Sequence, residues 1–236
     1  MGAVCISAPA SGSGKTLISC GLIKALRDRG YTVQSFKTGP DYIDPLFHDT
    51  VLADGEPDGV TGKCENLDTY LADHETVREI YRKCSAGADI SVIEGVMGLY
   101  DGVGGISLTG STYELAACLD APVILVADAK GASRSLVAGL RGFLDYDEAD
   151  MIRGVILNRC PVSVYEALSA VIREELHIKA LGYVPVMKDI RIKSRYLGLT
   201  LPDEIVDIKQ QIGILADRLN TSVDIDGIIE VSRSKG

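Results

Sequence analysis

Apolar runs and amphipathic segments alternate along most of the chain. Short runs rich in Val, Ile and Leu predict strands, whereas apolar residues spaced three or four positions apart predict helices. Strands are predicted over residues 2–6, 31–37, 89–94, 122–127, 154–157 and 180–184, and helices over 15–29, 74–86, 112–119, 133–144 and 163–175. This alternation predicts a three-layer, doubly wound α/β fold with a mostly parallel sheet.

Two regions do not follow the alternation. Residues 38–62 are rich in Gly, Pro and Asp and lack periodicity, which predicts a long functional loop. Residues 202–236 predict one or two amphipathic helices, with apolar core residues at helical spacing. Those apolar positions are Ile205, Ile208, Ile212 and Leu215.

The segment after the first predicted strand has the chemistry of a phosphate-binding loop. Its glycines let backbone N–H groups approach phosphate oxygens, and the helix that follows favours a bound anion at its N-terminus. Lys15 supplies a cation for the phosphates, and Thr16 supplies a hydroxyl ligand for Mg²⁺. We therefore predict a P-loop NTPase-like site for ATP and Mg²⁺. Its predicted nucleotide-binding residues include Ser11, Gly12, Ser13, Gly14, Lys15 and Thr16.

One position departs from the full phosphate-loop pattern. The pattern has Gly five residues before Gly14, and this chain has Pro9 there. The alternative interpretation is a flexible Gly/Ser turn before an ordinary helix. The strand–loop–helix context favours the phosphate-binding interpretation.

Charged residues follow two other predicted strands. Because parallel strands end at one edge of the sheet, Glu94 and Asp41 are expected to face the same phosphates as Thr16 and to hold Mg²⁺ with it. Asp41 and Asp44 also fit a turn-forming role, since both adjoin Pro. Lys37 is predicted to bind the transferred phosphoryl group or an anionic substrate.

A basic cluster follows the last predicted strand and lies near the same edge. It indicates an anionic, polycarboxylate substrate, although a solvated charged face is the alternative. The cluster consists of Lys188, Arg191, Lys193 and Arg195.

Composition excludes some classes of protein. The net charge of −9 and the pI of about 4.9 argue against non-specific binding of nucleic acid. No apolar run has the length of a membrane span and no signal peptide is evident, so we expect no membrane partner and a cytoplasmic protein. The six cysteines lack C-x-x-C spacing, which favours reduced thiols over a zinc site.

Motifs spread over the first two-thirds of the chain resemble the cobyrinic acid a,c-diamide synthase family of tetrapyrrole biosynthesis. Gly-Pro-Asp-Tyr-Ile-Asp-Pro is the most specific of them, and a weaker match follows at 195–199. The matching segments are 8–16, 36–48, 66–68, 94–102, 110–116 and 155–159.

The resemblance implies ATP-dependent amidation of two acetate side chains of a corrinoid, cobyrinic acid, through acyl phosphates. It also implies a role for each matching residue. The implied catalytic residues are Lys37, Asp41, Asp44, Glu94 and Asp101; Asn158 would recognise adenine; Tyr42, Ser111 and Arg195 would contact substrate; and Thr16, Asp41 and Glu94 would bind the metal.

The resemblance also predicts domain organisation. Residues 1–200 are expected to form the ATP-binding synthetase domain, and 201–236 a helical tail of the same domain. The family usually continues into a glutaminase domain with a cysteine nucleophile, which we expect to be absent here. A separate glutaminase domain or subunit, or free ammonia, would then supply nitrogen, unless this is the synthetase part of a longer protein. A homodimer is the default expectation.

Alternative functions remain open from the sequence. The same chemistry on hydrogenobyrinic acid or nickel sirohydrochlorin would use the same ATP motifs. A non-catalytic, nucleotide-switched ATPase of the partitioning type is a different class. Such proteins typically carry a second lysine early in the loop, where this chain has Ala10 and Ser11.

Overall fold

The sheet matches the predicted fold class. The computed structural model describes residues 2–54, 62–187, 190, 201–202 and 205–234. In these ranges seven strands pair in parallel, in the order β3-β2-β4-β1-β5-β6-β7. The prediction of a doubly wound α/β fold is confirmed. The strands are β1 Gly2–Ser7, β2 Val33–Thr38, β3 Glu65–Leu67, β4 Ile90–Glu94, β5 Val123–Asp128, β6 Ile152–Asn158 and β7 Lys179–Val184.

Helices cover both faces of this sheet. No helix in the described ranges is long and apolar enough to cross a bilayer. A short 3₁₀ turn lies at Val103–Gly105, and the sixth helix continues as a π-helical turn at Ile172–Leu176. The α-helices are α1 Lys15–Asp28, α2 Asp44–Leu52, α3 His74–Cys84, α4 Thr112–Leu119, α5 Arg134–Asp145, α6 Val162–Val171, α7 Ile208–Ser222 and α8 Ile225–Arg233.

Alternation along the central strands divides the apolar core between the two faces. On β1, Val4 and Ile6 join the cluster under α1, α2, α7 and α8, whereas Cys5 joins the cluster under α3 to α6. On β4, Val92 and Ile93 divide in the same way. Burial on both faces explains why these strands read as continuous apolar runs.

The predicted loop over residues 38–62 is wrong in part, because it contains α2. Pro45 lies in the first turn of this helix, where its missing N–H costs nothing. Phe47 and Val51, four residues apart, are buried against the core. The density of Gly, Pro and Asp around the helix obscured this short period in the sequence.

Strand register places the charged strand ends together. Lys37 of β2 lies beside Glu94 of β4, and Ile6 of β1 flanks Glu94 on the other side. The phosphate loop follows β1 directly, so all three strands end at the same edge of the sheet. This edge is where ligands bind in open α/β sheets.

The C-terminal helices pack on the same core. A side chain at Gly21 of α1 would approach Leu215 and Leu219 of α7 to 2.7 Å. Glycine therefore permits the close approach of the two helices. Ile212 and Leu215 are buried, while Ile205 and Ile208 are partly buried against the same cluster.

We predict that Leu215→Ala lowers the free energy of unfolding by about 2–5 kcal/mol, because it opens a cavity between α1 and α7. Ile214→Ala is the matched control, since Ile214 lies on the same helix and is exposed. Urea unfolding followed by circular dichroism measures both. Equal effects of the two substitutions would contradict the packing described for α7.

Candidate nucleotide-binding site

The phosphate loop has the backbone conformation that its glycines allow. Gly12 and Gly14 have φ of 76° and 98°, a region that side chains disfavour. The Ser13 hydroxyl donates to the Ala10 carbonyl at 2.8 Å and closes the loop. Thr16 is buried in the first turn of α1.

The ends of β5 and β6 brace this loop. The Asn158 side-chain amide donates to the Ser13 carbonyl at 2.7 Å. Arg159 forms two hydrogen bonds with Asp128, 2.8 and 2.5 Å long, and also donates to the Gly12 carbonyl at 3.1 Å. Hydrogen bonding from Arg159 lowers the pKa of Asp128. Adenine recognition by Asn158 stays a prediction; in this structure its amide holds the loop.

Four buried side chains form a charged cluster behind the loop: Thr16, Lys37, Asp44 and Glu94. Lys37 Nζ lies 2.6 Å from Asp44 Oδ2, 2.9 Å from Glu94 Oε1 and 3.2 Å from the Gly95 carbonyl oxygen. Thr16 Oγ1 lies 2.6 Å from Glu94 Oε1 and 3.3 Å from Asp44 Oδ2. The cluster thus brings two carboxylates and one cation to the loop's hydroxyl.

His48 holds the far side of the Glu94 carboxylate. Its Nε2 lies 2.6 Å from Glu94 Oε2, and its Nδ1 lies 3.2 Å from Ser35 Oγ and 3.4 Å from Cys64 Sγ. No role for His48 was predicted from the sequence. Asp44 and His48 are four residues apart on α2, so they lie on one helix face. Without a predicted helix, that signal could not be recognised.

Burial and charge set the ionisation of the cluster. Burial raises the pKa of Glu94, but Lys37 and the hydrogen bond from His48 outweigh it and hold that pKa below its usual range. Burial lowers the pKa of Lys37, but Glu94 and Asp44 raise it above its usual value. Burial and the neighbouring Glu94 raise the pKa of Asp44 to about 6. Lys37 and Glu94 therefore form an ion pair at neutral pH.

Lys15 lies near the charged cluster and is also buried. Its Nζ donates to the carbonyl oxygen of Met97, and the carbonyl oxygen of Ala10 lies at 3.4 Å. Burial lowers the pKa of Lys15 to about 8, although the negative charge of Glu94 acts to raise it. The ammonium is thus weakly compensated by carboxylates and suits an incoming phosphate anion.

Two predicted carboxylates hold loops in place. Asp41 Oδ1 accepts hydrogen bonds from the backbone N–H groups of Ile43 and Asp44, while its Oδ2 lies 3.9 Å from Lys37 Nζ, at the margin of the charged cluster. Asp101 accepts a hydrogen bond from the Gly98 N–H at 2.9 Å. Their catalytic and metal-binding roles stay predictions.

Two of the three predicted substrate residues lie in the described part of the chain. Tyr42 is 81% exposed on the loop after β2. Ser111 is fully buried, and its hydroxyl accepts the Glu114 N–H to cap α4. Arg195 lies outside the described residues, together with Lys188, Arg191 and Lys193. Of the two described residues only Tyr42 is exposed, and the substrate-contacting roles of all three stay predictions.

A cavity of about 250 Å³ unites the loop and the cluster. The hydroxyl of Thr16 and the carboxylates of Asp44 and Glu94 converge there, and such hard oxygen donors suit Mg²⁺ with phosphate as further ligands. The residues present thus fit a Mg²⁺–nucleotide complex. The lining residues are Ser11, Gly12, Gly14, Lys15, Thr16, Lys37, Asp41, Asp44, Glu94, Gly95, Val96 and Met97.

The parallel sheet, the phosphate loop and this cavity define a P-loop nucleotide-binding domain of the doubly wound α/β class. Residues 4–198 match the CobQ/CobB/MinD/ParA nucleotide binding domain, and the chain belongs to that family.

Curated relatives carry synthase names. The chain is 47% identical to hydrogenobyrinate a,c-diamide synthase of Mycobacterium tuberculosis over 84% of this chain and 42% of that protein. It is 38% identical to cobyrinate a,c-diamide synthase of Clostridium tetani over 98% of this chain and 50% of that protein. The chain thus spans about half the length of the curated relatives it matches, or less.

A solved structure supports the fold alone. The MinD cell division protein of Aquifex aeolicus superposes with a TM-score of 0.52 at 18% identity, covering 94% of this chain and 97% of that chain. The predicted family resemblance and P-loop NTPase-like fold are confirmed.

We predict that His48→Gln lowers the free energy of unfolding by about 1–3 kcal/mol, because a buried carboxylate oxygen loses its partner. The matched control is His74→Gln, which breaks a pair with Glu114 near the surface and changes stability by less than about 1 kcal/mol. Thermal and urea unfolding at neutral pH measure both variants. Similar losses would show that His48 does not compensate Glu94.

Proposed function

We propose that the chain catalyses the ATP- and Mg²⁺-dependent amidation of the a and c acetate carboxylates of cobyrinate, in cobalamin biosynthesis. The charged cluster against the phosphate loop is the observation that carries this proposal, because it provides cations and metal ligands where a phosphoryl group would be transferred. The names of the relatives supply the substrate class. The M. tuberculosis relative makes hydrogenobyrinate an equal candidate, and nickel sirohydrochlorin is the remaining tetrapyrrole.

The proposed roles follow from the contacts. The loop N–H groups and Lys15 would bind the phosphates, and Thr16, Asp44 and Glu94 would hold Mg²⁺, with Asp41 near the same position. Lys37 is fixed by two carboxylates, so its ammonium stays charged and would lie beside the phosphates of bound ATP. Fixed charges of this kind stabilise a transition state without reorganisation.

A carboxylate oxygen is a poor leaving group. Transfer of a phosphoryl group from ATP to that oxygen would make phosphate the leaving group instead. A substrate carboxylate oxygen would attack the γ-phosphorus and displace ADP, which leaves an acyl phosphate. Ammonia would then displace phosphate from the acyl carbon with loss of a proton. Lys15 and Lys37 neutralise charge on both anions as they approach each other. The protein's main contribution is therefore positioning and charge neutralisation.

Nitrogen supply and assembly belong to the same proposal. We propose that residues 1–200 form the synthetase domain and 201–236 complete it, as the packing of α7 on α1 supports. A glutaminase domain or separate subunit would deliver ammonia, and free ammonia would substitute for it. A cytoplasmic location and a homodimer complete the proposal.

Phosphate release from Mg-ATP tests this function, with cobyrinate as substrate and ammonium or glutamine as the nitrogen source. Mass spectrometry of the corrinoid identifies the amides. We expect corrinoid-dependent phosphate release and diamide formation with ammonium. ATP binding without stimulation by cobyrinate, hydrogenobyrinate or nickel sirohydrochlorin would contradict the ligase and favour the switch-type ATPase.

We predict that Glu94→Gln lowers turnover at least about tenfold, because a carboxylate beside the transferred phosphoryl group is lost. The matched control is Glu175→Gln, which removes a surface carboxylate paired with Arg134. Initial rates at saturating ATP and ammonium measure both variants. Unchanged turnover in Glu94→Gln with an intact fold would remove Glu94 from the site.

ATP binding is predicted to take up protons at pH 8.5. The Lys15 pKa is about 8 without nucleotide, and bound phosphate favours the ammonium and raises it. Affinity should therefore weaken as pH rises above about 8. Calorimetry in buffers of different ionisation enthalpy measures the uptake.

Lys15→Ala should abolish nucleotide binding, whereas Lys24→Ala on the same helix should leave both affinity and proton uptake unchanged. Retained ATP affinity in Lys15→Ala would contradict the assignment of the phosphate loop.

A further inference from the structure

A second cavity lies beside the nucleotide cavity, at the same edge of the sheet. It has a volume of about 600 Å³, within the range of small-molecule sites. We call it the loop pocket, because the loops after β2, β3 and β4 form it. Its lining includes Pro40, Tyr70, Leu71, Met97 and Val103.

The walls of the loop pocket are apolar although they are accessible to water. Tyr70 is 63% exposed and Leu71 70% exposed, and Met97 and Val103 are also among the exposed large apolar residues. Apolar patches of this kind on a protein surface mark binding sites. A ligand with an apolar face would bury them.

The loop after β4 gives the pocket a preformed wall. A side chain at Gly102 would collide with the backbone carbonyl oxygens of Ser107 and Thr109, and the Val103 N–H donates to the Thr109 carbonyl at 2.9 Å. This loop is therefore closed on itself by backbone contacts. A side chain at Gly110 would lie 3.2 Å from Tyr70 Cβ and 3.6 Å from Val103 Cγ2, so those two residues flank it.

The two cavities share a wall. Asp41, Val96 and Met97 line both the loop pocket and the nucleotide cavity. On the nucleotide side of this wall lie the cations of Lys15 and Lys37. A ligand in the loop pocket that carries a peripheral carboxylate can therefore present it to the phosphates across the wall.

The two carboxylates in the lining of the loop pocket accept hydrogen bonds from the backbone. Asp68 accepts hydrogen bonds from the N–H groups of Tyr70 and Leu71, and Asp41 accepts two N–H groups of its own loop. Tyr70, Leu71, Met97 and Val103 thus supply the apolar part of the lining, while the Lys15 ammonium, which is the less compensated of the two cations, lies on the nucleotide side. This polarity suits an amphipathic acid with a broad apolar face.

We propose that the loop pocket seats the apolar face of the tetrapyrrole-derived macrocycle, with one acetate side chain reaching over the shared wall toward the nucleotide. This inference rests on the proposed function for its ligand class. Tyr70, Leu71 and Val103 contact the ring face, and they act on the affinity for the macrocycle rather than on the affinity for ATP.

Leu71→Asp tests the proposal, because it adds a carboxylate to the apolar wall opposite a polycarboxylate ligand. The Michaelis constant for cobyrinate should rise roughly tenfold or more, while that for Mg-ATP stays within about twofold. Ile106→Asp is the matched control: it adds the same charge at a fully exposed apolar residue that does not line the pocket. Ultrafiltration, read by corrinoid absorbance, measures binding directly. Leu71→Ala gives a milder variant in case Leu71→Asp does not fold.

The possible outcomes distinguish a failure of the loop-pocket proposal from a failure of the proposed function. Wild-type turnover of cobyrinate with equal Michaelis constants in Leu71→Asp and wild type would overturn the pocket while leaving the function intact. An equal rise in Ile106→Asp would likewise overturn it, as a general charge effect. Wild-type protein that binds ATP but none of the three tetrapyrroles would overturn both. A dimer that dissociates only in Leu71→Asp, seen by sedimentation, would assign the patch to a second copy of the chain instead.

Discussion

The Glu94 carboxylate is the group on which the arrangement of the site depends. It has no exposed surface, and a buried carboxylate is costly unless charges and hydrogen bonds compensate it. Lys37 from β2, His48 from α2 and Thr16 from α1 supply that compensation. These elements must therefore dock in one arrangement, which also sets the position of the phosphate loop. The contacts that compensate Glu94 therefore serve both folding and the placement of the phosphate loop.

The parallel sheet also places the nucleotide cavity and the loop pocket side by side. Strands β1, β2 and β4 end side by side, so their loops share one edge. The loop after β1 lines the nucleotide cavity, where the cations lie, and the loop after β4 lines both the nucleotide cavity and the loop pocket. In the proposed reaction, a phosphoryl donor and an apolar acid would meet across this shared wall. Positioning of this kind is what acyl-phosphate chemistry requires from a protein.

Most of the fold and part of the site could be predicted from the sequence. Continuous apolar strands and amphipathic helices gave a strong signal, and the phosphate loop has a short, local pattern. The position of Lys37 and Glu94 at one edge could be predicted because strand ends in a parallel sheet converge. Helix α2 was missed, since its nine residues lie among Gly, Pro and Asp, and the role of His48 was missed with it. The brace from Asp128 and Arg159 to the loop depends on contacts between distant segments, which periodicity does not reveal.

Transfer of isotope from the substrate to phosphate tests the proposal that ATP activates the acetate carboxylate. Cobyrinate labelled with ¹⁸O in its carboxylates would be amidated with ammonium and Mg-ATP, and the released phosphate analysed by mass spectrometry. One ¹⁸O atom is expected in phosphate for each amide formed, because the carboxylate oxygen leaves with the phosphoryl group. Amide formation with unlabelled phosphate would contradict it.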